Sequence, residues 1–112
     1  MIVSKSRHPQ GIVLRVEGVI KLGESAEFLA QTLDRILSQE EGDVVLDLEQ
    51  INYIDSTGIG ELVGYLGRFG ERQRKMVLVR PSERIHKLLE LANLLPLFQI
   101  YESVDAALGT AD

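Results

Sequence analysis

Asp55-Ser56-Thr57-Gly58, followed by Gly60, is the segment whose residue types and spacing could do chemistry: two hydroxyls, a carboxylate directly before them, and glycines that let another group come close. On spacing alone the plain role is helix capping, since serine and aspartate both accept from the free N–H groups of a first helical turn. A hydrolase nucleophile would need a base. The only histidines are His8, in a turn before Pro9, and His86, in a helix otherwise serving as core and surface, and neither is placed as one. Asp55 as an aspartyl-phosphate receiver would need an early acidic pair to hold magnesium, which the chain lacks. A phosphate-cradling loop would need a lysine after Gly60, where Glu61 stands. The sequence therefore carries no catalytic residue set, no metal ligand set and no cofactor site.

Composition narrows the setting. The 112 residues suit a single core, and with no cysteine, disulfides and thiolate sites are excluded. Twelve Lys plus Arg against seventeen Asp plus Glu leave a net charge of -5, which disfavours nucleic acid and anionic bilayers as partners. The cationic run from Arg68 to Lys75 is broken by Glu71 and is expected to be a solvated turn after a helix. Apolar stretches are strand-sized, far short of the roughly 20 residues of a spanning helix, and no basic-apolar leader is seen, so a cytoplasmic chain without direct membrane contact is expected.

The elements that must position Ser56 follow from periodicity. Ile12, Leu14 and Val16 alternate with Val13, Arg15 and Glu17 in a strand bracketed by Gly11 and Gly18, and Ile2 to Ser4 supply an earlier strand joined through Ser6 to Gly11 in a hairpin. From Ser25, the expected N-cap, Phe28, Leu29, Leu33, Ile36 and Leu37 mark one helix face up to Gly42. Val44 to Leu48 is nearly continuous in apolar residues, as a central strand covered on both faces requires. A connection over Ile51 to Ile54 leads to a second helix with Ile59, Leu62, Val63, Leu66 and Phe69. Met76 to Val79 is a strand, Pro81-Ser82 opens a third helix ended by Asn93 and Pro96, Phe98 to Tyr101 is a last strand, and Ser103 caps a short helix through Leu108. Strands alternating with helices predict an α/β domain on one mixed, mostly parallel sheet with about four helices against it.

The stretch VVLDLEQINYIDSTGIGELVGYLGRF, Val44 to Phe69, closely resembles the signature of the STAS family, of the anti-sigma factor antagonist type. An apolar strand ends in Asp-Leu, a short connection follows, and Asp-Ser-x-Gly-aliphatic-Gly stands at a helix start. A weaker likeness runs on through MVLVRPSERIHKLLELANLLPLFQIYES. The resemblance implies one STAS domain over residues 1–112, in which 109–112, beyond the last helix, are expected to be a frayed tail.

It also implies a switch. In that family the serine accepts a phosphoryl group from an anti-sigma factor that is also a serine kinase, which places the acceptor at Ser56, with Thr57 as a minor alternative. ATP belongs to that kinase, no cofactor to this chain, and a phosphoserine phosphatase resets the site. The unmodified protein would bind the kinase and release a sigma factor; phosphorylation, adding a charge of about -1.5 to -2, would end the contact. A helix N-terminus suits the new charge, worth about 0.3 to 1 kcal/mol there. Asp55, Asp47 and Gly58 match the residues that support the acceptor, with Asp47 expected to reach the Ser56 loop.

Gly60, Gly64 and Gly67 form a stripe free of side chains beside the apolar face of the second helix, although each costs roughly 1 kcal/mol relative to alanine in a helix interior. It serves either close packing inside the fold or docking of the partner. Tyr53, Glu61 and Tyr65 join Ser56, Thr57, Gly60 and Gly64 as candidate partner contacts. The alternative function is a STAS accessory subunit, without a switch, of a lipid-transport ABC system or a sensory scaffold. Nothing in the composition selects an oligomeric state.

Overall fold

The computed structural model describes residues 1–109. The chain runs β1 (Ile2–His8), β2 (Gly11–Ile20), α1 (Glu24–Gln39), β3 (Val44–Ile54), α2 (Ser56–Gly70), β4 (Met76–Val79), α3 (Glu83–Leu91), a 3-10 turn (Leu95–Leu97), β5 (Ile100–Tyr101) and α4 (Val104–Leu108). The five strands lie in the order β1-β2-β3-β4-β5, with β1 antiparallel to β2 and all other neighbours parallel. This is the mixed, mostly parallel α/β architecture expected from the sequence.

Strand order dictates where the helices go. Each crossover from β2 to β5 steps to the next strand in one direction, and right-handed crossovers of that kind all fall on one side of the sheet. Accordingly Ile12, Leu14, Val44, Leu46 and Leu78 share one core cluster with Leu29 and Leu33 of α1, Leu62 and Phe69 of α2, and Ile85 and Leu89 of α3. The alternate residues Val13, Val45, Val77 and Val79 face the other way, onto Leu108 of α4. The apolar run of β3 is thus buried on both faces.

Four strand limits differ from expectation. β1 continues to His8, so the hairpin turn is only Pro9-Gln10, with His8 opposite Gly11. Gly18 does not end β2: it lies inside, at φ +110, where the β2–β3 register slips. Glycine in a strand often marks such an irregularity, because few other residues tolerate that backbone angle. Continued pairing of Gly18 with Ile51 and Ile20 with Ile54 makes the Ile51 to Ile54 segment part of β3. Phe98, in turn, enters the core from the loop before β5.

Caps are right for the later helices and wrong for α1. Ser82 accepts from the Ile85 N–H at 3.2 Å and Ser103 from the Ala106 N–H at 3.0 Å. Gly109 adopts the left-handed conformation that closes α4; of the expected tail, residues 110–112 lie outside the described residues. The N-cap of α1 is Gly23, at φ +106, and the Ser25 hydroxyl instead closes the turn before it, accepting from Lys21 N–H at 2.9 Å and donating to Lys21 C=O at 3.1 Å.

The run from Arg68 to Lys75 is more than a solvated turn. The last turn of α1 holds no basic residue, and cations arrive from this run instead: Arg72 donates to Leu37 C=O at 2.9 Å, and Arg74 to Gly42 C=O at 2.7 Å and Leu37 C=O at 3.2 Å. Carbonyls at a helix C-terminus lack intrahelical partners, so guanidinium groups close them well. On the other side, Glu40 bonds both Lys5 and Arg7 at 2.6 Å, tying β1 to the end of α1. The Lys5 hydrogen bond, opposed by burial and reinforced by Arg7, holds the Glu40 carboxyl below its ordinary 4.5. A lowered carboxyl contributes stability above its unfolded value and loses it as pH falls through the folded one. The urea midpoints of wild type and Glu40→Gln should therefore differ by a constant amount at neutral pH, and the gap should close progressively below pH 4.5; a gap unchanged in acid would count against the triad.

Candidate functional site

The site lies where β2 and β3 end side by side and α2 begins. Asp55 is the N-cap of α2 in extended conformation, and its Oδ1 accepts from the Gly58 N–H at 2.9 Å. Its Oδ2 accepts from the Leu22 N–H, also at 2.9 Å, in the loop between β2 and α1. The Leu22 amide first, then that of Gly58, holds the Asp55 carboxyl below its ordinary range. Asp55 therefore stays ionised at neutral pH.

Because Asp55 does the capping, Ser56 is the first residue of the helix proper and is exposed. Its hydroxyl makes no hydrogen bond with the described residues. Thr57 is half-buried beside it. Gly58 is buried, and here the lack of a side chain is a steric requirement: a Cβ would stand 2.5 Å from the Ile20 carbonyl oxygen, 2.6 Å from Ile54 Cγ1 and 2.9 Å from Ile20 Cγ2. That same Ile20 carbonyl accepts from the Asp55 N–H at 3.2 Å. Gly58 thus allows the first turn of α2 to rest on the end of β2 while Ser56 faces outward.

The glycine stripe has the opposite character. Gly60, Gly64 and Gly67 are exposed, and a Cβ at any of them would meet nothing within 4 Å. Close packing inside this fold is therefore not its purpose. At about 100° per residue, Ser56, Gly60, Gly64 and Gly67 fall within roughly 80° of one another, so the stripe continues the outward face that Ser56 begins.

Other expected contacts are placed differently. Tyr65 is not a surface residue: it is 3 % exposed and packs in the core, about 180° around α2 from Ser56. Burial, with the Asp34 hydrogen bond, pushes its hydroxyl up to about 12, and the Arg68 guanidinium lies 4.8 Å above its ring. It fastens α2 to α1. Glu61 is half-buried; Tyr53 is 38 % exposed at the end of β3, with Arg84 5.7 Å from its ring centre. Asp47 does not reach the Ser56 loop. It sits mid-strand in β3, buried, where Oδ2 accepts from Arg15 Nε at 3.0 Å and Oδ1 from Glu49 N–H at 3.1 Å. Strand alternation puts it on the face of Val45, away from the helix side.

Leu22 is the residue that sequence reasoning missed. No local pattern links it to Ser56; only the pairing of β2 with β3 brings its amide to Asp55. Neither histidine bonds Ser56, and the His8 Nε2 lies 3.1 Å from Ser6 Oγ. Among the described residues no cluster of three His, Cys, Asp or Glu could hold a metal ion, and no helix is long and apolar enough to cross a membrane.

The chain as a whole has known relatives. The STAS domain family model matches residues 3–107. The anti-sigma-B factor antagonist of Staphylococcus aureus (strain NCTC 8325 / PS 47) is 29% identical over 87 residues, covering 74% of this chain and 81% of that protein. A candidate anti-sigma factor antagonist from Thermotoga maritima superposes with a TM-score of 0.88 at 22% identity, over 96% of this chain and 92% of that one. Phosphorylated SpoIIAA, a Bacillus cell fate determinant, superposes with a TM-score of 0.74 at 17% identity, over 95% and 96%. With the family model spanning residues 3–107, the chain belongs to the STAS domain family.

Proposed function

We propose that this protein is an anti-sigma factor antagonist that binds an anti-sigma factor kinase while Ser56 is unmodified and lets go once Ser56 is phosphorylated. The observation that carries this is the exposed Ser56 hydroxyl, left without a structural task because Asp55 caps the helix in its place. The names of the staphylococcal relatives and of the superposed antagonists support the antagonist part of this reading. In the transfer, Ser56 Oγ forms a bond to the γ-phosphorus of ATP held by the kinase, the bond to the bridging oxygen breaks, ADP leaves, and the hydroxyl proton passes to a base of the kinase or to water. A phosphoserine phosphatase restores the hydroxyl by hydrolysis. This protein supplies the acceptor and no catalytic group, and the cytoplasm, where ATP and sigma factors are found, is its proposed location.

The test is incubation with the cognate kinase and ATP, followed by peptide mass spectrometry. A gain of one phosphoryl group on Ser56 is expected; a complex that forms while Ser56 stays unmodified, or transfer to Thr57 alone, sinks the switch. Capture of a transporter ATPase in place of the kinase sinks the assignment of partner.

The docking face has its own test in the glycines. Alanine at Gly60, Gly64 and Gly67 meets no obstacle. The triple variant should gain about 2 to 3 kcal/mol in urea unfolding from helix propensity. Three methyl groups standing on the face that continues from Ser56 should nonetheless weaken kinase binding about tenfold, close to 1.4 kcal/mol. A more stable protein that binds as tightly as before would place the partner elsewhere.

A further inference from the structure

We propose that Asp55 is a positioning residue of the partner-binding face, holding through Oδ2 the loop that sets Leu22 beside Ser56, and that Leu22 is an anchor read by the kinase together with that hydroxyl. This rests on the reading of Ser56 given above. Asp55 divides its oxygens between two tasks: Oδ1 caps α2 through Gly58, while Oδ2 reaches across 33 residues of sequence to the Leu22 amide. It makes no hydrogen bond to the Ser56 hydroxyl, so orienting the acceptor is not what its carboxylate does.

The loop is fixed on both sides of Leu22. Ser25 bonds both the amide and the carbonyl of Lys21, and Gly23, at φ +106, turns the chain into α1 while its own carbonyl accepts from Glu27 N–H at 3.1 Å. Yet the Leu22 side chain is 76 % exposed, the highest value among the large apolar side chains described. A single exposed leucine is ordinary. An exposed leucine whose amide is anchored by a charged acceptor, supplied by the residue directly before the modifiable serine, has its place set by the site. An apolar side chain held in a fixed place can fill a partner pocket and be dried there, and a few such enclosed residues carry most of the energy of a contact. The occupant is the kinase because the same partner must approach Ser56, which adjoins the anchoring carboxylate.

Asp55→Asn separates the two tasks, since its one carbonyl oxygen can keep the Gly58 N–H while its NH2 group cannot accept from Leu22. Amide exchange by NMR on the full chain should show Leu22 exchanging about tenfold faster with Gly58 still protected. In transfer assays with the cognate kinase and ATP, Asp55→Asn and Leu22→Ala should each raise KM about tenfold with kcat within about twofold, and the double variant should be no worse than either alone. Unchanged Leu22 exchange, an unchanged KM in either single variant, or a double variant about a hundredfold worse would each overturn the proposal. Wild-type transfer with any of these results overturns this inference alone, whereas a wild-type chain that neither binds nor accepts a phosphoryl group overturns the reading of Ser56 and this inference with it.

Discussion

Gly58→Ala should cripple folding, lowering stability by about 3 kcal/mol or more, at the upper end of what overpacking costs. The added methyl group would stand 2.5 Å from the Ile20 carbonyl oxygen and 2.6 Å from Ile54 Cγ1. Side chains can give way, but the Ile20 carbonyl is backbone in β2, and it already accepts from the Asp55 N–H. Relief would therefore have to come from lifting the first turn of α2 off the sheet. That movement breaks the Asp55 bond to Gly58 and bares Leu62 at the core, so the cost spreads beyond the contact itself. Thermal unfolding should show a midpoint at least about 12 °C lower for a domain of this size. Alanine at Gly64, in the same helix but with no atom within 4 Å of the new Cβ, is the control and should stabilise. A midpoint for Gly58→Ala within a few degrees of wild type would show that the junction yields, and that Gly58 is not what seats the helix.

Much of this arrangement was legible because the signals are local. Strand alternation sorted Leu14 from Val13 and Leu46 from Val45 onto separate faces, and one-directional right-handed crossovers follow once β2, β3 and β4 are recognised as parallel. Ser82 and Ser103 were readable as caps since each bonds an amide three residues on. The capping arm of Asp55 has the same local span. Its other arm does not: Leu22 is 33 residues away and meets Asp55 only through strand pairing.

The misplacements have the same root. Tyr65 has a polar tip that suits a surface, but its ring is buried in the core and its hydroxyl is met by Asp34, which another helix supplies. With Ile51 to Ile54 as a connection, Asp47 falls near the acceptor; with β3 running through to Ile54, it lies mid-sheet against Arg15. Arg72 and Arg74 resembled solvated charges until the end of α1 was folded beneath them, because the carbonyls they close are more than thirty residues away. The glycine stripe was ambiguous for a different reason. Spacing shows which residues share a helix face, but only the packed structure shows whether that face has a neighbour.

Ser56→Asp should lose kinase binding about a hundredfold while folding as well as wild type, and Ser56→Ala should bind within about threefold of wild type. The two measurements separate because of where Ser56 sits. It is the first residue of α2, exposed, with its hydroxyl unengaged by the described residues, so neither substitution removes a native contact. A negative charge in a first helical turn is favoured by the helix dipole, though Asp55 already holds the Gly58 amide that a new anion would seek. The fold is thereby left nearly indifferent to the charge. The partner is not, since a carboxylate pressed into a contact shaped for a hydroxyl loses its water without gaining a counter-charge, and leaving one charge buried and unpaired costs several kcal/mol. A hundredfold loss corresponds to about 2.7 kcal/mol. Phosphoserine, with a charge of about -1.5 to -2 beside the ionised Asp55, should exceed that loss. Titration calorimetry against the kinase, alongside thermal melts of each variant, reads both quantities on the same samples. Equal affinity for Ser56→Asp and wild type would mean that the partner does not cover Ser56, and the switch as proposed would fall even if the serine proved to be phosphorylated.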